Sequence, residues 1–169
     1  MSRARPLIAV VGSWRPDPQR DAAAEAVGRG LAEAGAVVVC GGMSGVMEAA
    51  CRGAAGAGGL TVGLLPGGDP GEGNAWVDVA IPTAMAELRN GLIARAGRAM
   101  IAIGGEWGTL SEVAFALKLG RPVVGLDTWE LARGGRRVEG IVKARDPAAA
   151  VGLALEASGV SGAAEAQPG

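Results

Sequence analysis

Histidine and tyrosine are absent from the 169 residues, and phenylalanine occurs once. Without imidazole the chain cannot build a His-based nucleophile triad, a His-ligated zinc site or an imidazole general base. Carboxylates, arginines and main-chain amides must carry its chemistry. Cysteine is scarce too: Cys40 and Cys51 form neither a metal-spaced cluster nor a secreted-type disulfide framework, and their apolar surroundings predict buried free thiols, so no metal site is expected. An excess of one charge is missing, since sixteen basic and seventeen acidic side chains leave a net charge of -1. No global positive field can hold nucleic acid by counterion release, but a local anion pocket is compatible with this balance. Long apolar runs are lacking as well. The longest uncharged stretch, Gly53 to Gly68, is too short and glycine-rich to span a membrane, and Met1 to Pro6 leads into a strand-like run with no signal-peptide pattern. The expectation is a cytoplasmic protein with no membrane or nucleic-acid partner.

What is present is a globular balance, 49% hydrophobic and 20% charged, in a chain of one domain's length. Short aliphatic runs at Leu7 to Val11, Val37 to Val39, Leu60 to Leu65, Met100 to Ile103 and Pro122 to Leu126 read as strands buried on both faces. Between them lie helical candidates at Pro18 to Ala34, Val46 to Gly56, Ala84 to Ala96 and Thr109 to Leu119. This alternation predicts right-handed crossovers and a three-layer, Rossmann-like α/β fold with a doubly wound, mainly parallel sheet. Pro66 to Trp76 reads as an irregular loop, and Val138 to Val142 as a further strand. Asp146-Pro147 opens a last helix that ends near Ala157. A single domain over residues 1–157 is expected, with Ser158 to Gly169 a frayed tail, and no cofactor is required for folding.

In open α/β sheets ligands bind beyond the carboxyl ends of the strands. The residues there form a pattern: Gly12-Ser13-Trp14-Arg15, Gly41-Gly42-Met43-Ser44-Gly45, Pro66-Gly67-Gly68 and Gly104-Gly105-Glu106-Trp107-Gly108-Thr109. Glycine permits close backbone approach, and helix N-termini supply unpaired amides, so converging turns suit a phosphate. Tight packing explains any single turn equally well. None matches G-x-G-x-x-G or the P-loop, which disfavours standard dinucleotide binding and P-loop hydrolysis.

Thr109 followed by Glu112 fits a capping box; the alternative has Gly105, Gly108 and Thr109 holding phosphate with Glu112 aimed at the ligand. Glu106 opposes a phosphate unless it points away or meets a cation. Arg89, placed before the fourth of these strands, can take a phosphate or carboxylate in bidentate fashion, or can be an ordinary solvated arginine. Trp14, Trp76 and Trp107 fall in loops at the same edge, where Trp14 or Trp107 can stack on a base or pterin. Trp129 reads as structural.

Val11-Gly12-Ser13, the Cys40 to Met47 turn, Val62-Gly63-Leu64-Leu65-Pro66, Arg89 and Gly108-Thr109-Leu110-Ser111-Glu112 together resemble the lonely-guy (LOG) superfamily, once misnamed lysine decarboxylases. The resemblance covers Leu7 to Leu126 and is closer to the short branch of molybdenum-cofactor carrier-like proteins. It implies a pocket for a nucleotide or a phosphorylated pterin such as molybdenum cofactor. Gly12, Ser13, Gly41, Gly42, Ser44, Gly45, Gly105, Gly108 and Thr109 would cradle phosphate, and the protein would be a homodimer or higher homo-oligomer. The superfamily's enzymes hydrolyse nucleoside 5'-monophosphates to base and ribose 5-phosphate, which would make Glu112 and Arg89 catalytic. Two departures stand out: their P-G-G-x-G-T is Gly104-Gly105-Glu106-Trp107-Gly108-Thr109 here, and their Arg-Lys pair is Arg89-Asn90. An acidic group enters the loop and a cation leaves, which predicts weaker binding of a dianionic phosphate.

Overall fold

A computed structural model describes residues 4–159. The aliphatic runs form strands β1 (Leu7–Gly12), β2 (Val37–Cys40), β3 (Thr61–Leu65), β5 (Ala99–Ile103) and β6 (Val123–Leu126). Two further parallel strands, β4 (Val79–Pro82) and β9 (Ile141–Lys143), complete a seven-stranded sheet ordered β4-β3-β2-β1-β5-β6-β9. All its pairings are parallel, as runs buried on both faces require. A small antiparallel hairpin, β7 (Ala132–Arg133) with β8 (Arg136–Arg137), stands apart from it.

Alternate side chains of the central strands feed two separate cores, because successive residues of a strand face opposite sides. Ile8, Val10, Ile101 and Ile103 pack with α1 (Pro18–Glu33), α2 (Val46–Gly56) and α5 (Pro147–Ala157). Ala9, Val11, Met100 and Ala102 pack with α3 (Asn90–Ala96) and α4 (Trp107–Lys118). Helices α1 and α2 meet backbone to backbone. A side chain at Gly28 would collide with the Ala50 carbonyl, and one at Gly53 with that of Glu25.

Several expectations change. The helix from Ala84 to Ala96 is instead a 3-10 turn at Ala86–Arg89 followed by α3. Its start is tied to the loop after β3 by Ala84 and Ala86 amides donating to the Gly67 and Pro66 carbonyls, and both alanines adopt positive φ (52° and 48°). Helix α4 begins at Trp107, so Thr109 lies inside its first turn and cannot cap it. The loop after Leu65 contains a 3-10 turn at Pro70–Glu72. Trp76 is at the opposite end of the sheet from the glycine turns, where its carbonyl accepts from the Thr61 hydroxyl at the start of β3. Ser158 and Gly159 form a turn after α5; the remainder of the expected tail lies outside the described residues.

Candidate functional site

Strand order reverses between β1 and β5, and the turns leaving these two strands diverge around a cleft of about 470 Å³. Its walls bring together Gly12, Ser13, Trp14, Ser44, Arg89, Trp107, Gly108, Thr109 and Glu112. Sequence reasoning gave no site role to Met43, Met47, Ala86 or Glu87, which also contribute. Gly41, Gly42, Gly45 and Gly105 are absent from the lining and shape the turns from behind. Gly42 has φ 71°, and a side chain there would strike Leu65. A Cβ at Gly41 would lie 2.7 Å from the Arg89 guanidinium, so a bare backbone at this position admits the arginine. Gly108 faces open space, with no atom within 4 Å of a Cβ placed there.

Helices α2 and α4 both start at this cleft, and neither has a side-chain cap. Glu106, the residue preceding α4, leaves the first-turn amides alone. Its carboxylate instead meets Arg15 (3.5 Å) and the Ser13 hydroxyl (3.4 Å), which supplies the compensating cation that a neighbouring phosphate requires. The Val46 amide at the start of α2 donates to the Ser13 carbonyl (3.0 Å), and the other first-turn amides, with the two dipoles, are left for an acceptor.

Arg89 is buried, with only 8% of its surface exposed. The constrained approach through Ala84 and Ala86 folds it inward, where one guanidinium nitrogen donates to the Asn90 side chain and another to the Gly41 carbonyl at 3.5 Å. Asn90 is held in turn by its amide donating to Ser111 Oγ (2.9 Å), and that hydroxyl donates to the Gly108 carbonyl. Arg89 Nε has no hydrogen-bond partner among the described residues. Burial lowers the arginine's pKa, and Glu112, Cys40 and Glu87 oppose that shift.

Glu112, on α4, is equally buried and lies 3.8 Å from Arg89. Desolvation pushes its carboxyl up to about 8, and the attraction of Arg89 only partly counters this. At neutral pH the carboxyl is therefore mostly protonated. Arg89 then has no ionised carboxylate at ion-pair distance among the described residues, and only the weaker attraction of Glu87 offsets its charge.

Trp107 is 77% exposed at the cleft edge and packs at 5.3 Å, tilted by 38°, on Trp129. Trp14 is also exposed and lies under the Arg15 guanidinium. Behind the site Cys40 and Cys51 are free and buried, their sulfurs 3.5 Å apart. No group of three or more metal-ligating side chains occurs among the described residues, and no helix there is long and apolar enough to cross a membrane.

Residues 5–151, which carry every part of this cleft, match the SLOG cluster4 family. The chain belongs to the SLOG cluster4 family. An uncharacterized protein of Archaeoglobus fulgidus is 41% identical over 119 residues, 70% of this chain and 78% of that protein. Among solved structures, the molybdenum cofactor binding protein of Rippkaea orientalis is similar with TM-score 0.81 and 33% identity, over 90% of this chain and 96% of that one. The molybdenum cofactor carrier protein of Chlamydomonas reinhardtii is similar with TM-score 0.80 and 32% identity, over 90% and 98% of the two chains. These likenesses bear out the expected short branch of the superfamily and its three-layer parallel fold.

Proposed function

We propose that the cleft between β1 and β5 binds a small phosphorylated heteroaromatic molecule, a nucleotide or a phosphorylated pterin such as molybdenum cofactor, and that the protein is a carrier of that ligand. The observation that supports this most is Arg89: a buried guanidinium with an unpartnered Nε, beside a carboxyl that burial keeps protonated at neutral pH. Such a group has paid for desolvation without an anion, and a phosphate supplies one. The residues fit the ligand's parts. Uncapped amides at Gly108, Thr109 and Met47 suit phosphate oxygens, and the exposed faces of Trp107 and Trp14 suit a flat ring. Bound there, molybdenum cofactor would bring its metal chemistry as cargo, with this chain holding and shielding it. The similarity to a cofactor binding protein and a cofactor carrier supports the same reading.

Isothermal titration of the purified protein with adenosine 5'-monophosphate and with molybdenum cofactor tests it. Saturable association near the micromolar range is expected, and the absence of any saturable ligand in that pair would retire the proposal.

The Arg89-Glu112 pair at the cleft favours a second reading, hydrolysis of the N-glycosidic bond of nucleoside 5'-monophosphates. Stabilising an oxocarbenium ion needs an ionised carboxylate, and burial holds Glu112 protonated up to about pH 8, which ranks binding first. Incubation with adenosine and cytokinin monophosphates, followed by chromatography for free base, separates the two. Base release lost in Glu112→Ala would reverse the ranking.

A further inference from the structure

A second cavity, of about 540 Å³, lies at the carboxyl edge of β5, β6 and β9, under the β7-β8 hairpin. Its volume falls in the range of small-molecule sites. The floor is apolar, with Ile103, Leu126, Ile141 and Val138 contributing. Helices α1 and α5 begin here with their first turns capped: Asp17 accepts from Gln19 and Arg20, Asp146 accepts from Ala149, and Ala148 is not in the lining. Recognition must therefore come from side chains.

The charged side chains on the walls sort themselves into pairs. Arg20 meets Asp127 at 3.4 Å, Lys143 meets Glu130 at 3.9 Å, and Arg145 meets Asp146 at 3.1 Å. Arg137, on the hairpin and in the lining, makes no ion pair among the described residues. A second donor is also unused, because the indole Nε1 of Trp129, another lining residue, is shielded from solvent and has no acceptor. One spare cationic donor, Arg137, thus borders an apolar floor.

We propose that this second cavity is a binding site for a small organic anion, a carboxylate or phosphate monoester carrying an apolar or planar body. Arg137 takes the anionic oxygens, and the body lies on Ile103, Leu126 and Ile141. Trp129 packs on Trp107, which lines the first cleft, so the two sites share an aromatic wall. This site does not depend on the function proposed for the first cleft.

The test is a ¹⁵N-¹H correlation spectrum of the full chain, whose four indole signals are assigned by single Trp→Phe variants and followed during titration with 1-naphthoate and with inorganic phosphate. Naphthoate is expected to shift the Trp129 indole signal saturably and to bind more tightly than phosphate. Arg137→Gln should weaken that binding at least about tenfold, the loss of one charged hydrogen bond, and Arg89→Ala should leave it unchanged. A Trp129 signal unmoved by either probe would overturn the proposal. So would binding indifferent to Arg137→Gln, or binding lost in Arg89→Ala, which would place the anion in the first cleft. Phosphate binding as tightly as naphthoate would remove the role of the apolar floor.

Discussion

Four helices of eight residues or more begin at the carboxyl edge of one sheet, and they split into two kinds. At α1 and α5 an aspartate spends itself on the first-turn amides; at α2 and α4 no side chain does. Capped starts are stability features, since a cap of this kind contributes about 1 kcal/mol. Uncapped starts forgo that stability, and here both open on the same cleft as Arg89. The molecule thus keeps open donors in one half of the edge and closes them in the other, where the second cavity has to rely on Arg137.

Removing the centre of the uncapped half should give the largest effect. Arg89→Ala is expected to weaken adenosine 5'-monophosphate binding about a hundredfold in calorimetry, as loss of a buried charged hydrogen-bonding partner does. Glu112→Gln should act on pH dependence. In the parent protein, affinity should fall as pH rises through about 8, because ionised Glu112 then cancels the charge of Arg89, and in the variant this fall should vanish. Stability has the same sign. The carboxyl is held protonated when folded and ionises near 4.5 when unfolded, so its favourable contribution is complete below 4.5 and drains away as pH climbs to about 8. Melting temperature measured across that window should decline in the parent and flatten in Glu112→Gln.

Smaller effects test the capped half. Asp17→Ala or Asp146→Ala should each cost ~1 kcal/mol, lowering Tm by about 2–4 °C for a chain this size, with nucleotide affinity in the first cleft unchanged. The converse exchange sharpens the contrast most finely. Glu106→Ser would cap α4, and is expected to raise Tm by a degree or two while weakening anion binding severalfold, because the serine competes for the same amides.

Much of this arrangement was legible in the letters. Leu7 to Val11, Val37 to Val39 and Met100 to Ile103 announce central parallel strands because nothing polar interrupts them, and strand-end glycines mark the functional edge. Strand β4 was hidden because Val79–Pro82 is brief, half-exposed and ends in proline, a pattern suited only to a sheet edge. The β7-β8 hairpin escaped notice because its two-residue strands are charged and exposed. Arg89 shares its stretch of chain with Arg95 and Arg98, and only its placement before the fourth aliphatic run and the resemblance single it out. What separates it is the turn through Ala84 and Ala86, a tertiary constraint that reverses the helical reading. The start of α4 was misread for a local reason: Trp107-Gly108 look like loop residues, so Thr109 was a reasonable cap until the helix proved to begin two residues earlier.

The absence of side chains at Gly28 and Gly53 bears on how the first cleft works. With α1 and α2 locked main chain to main chain, the start of α2 cannot slide or breathe independently of the half of the molecule behind it. Its donors are therefore preorganised, and a ligand docking against them forfeits little entropy in fixing the receptor.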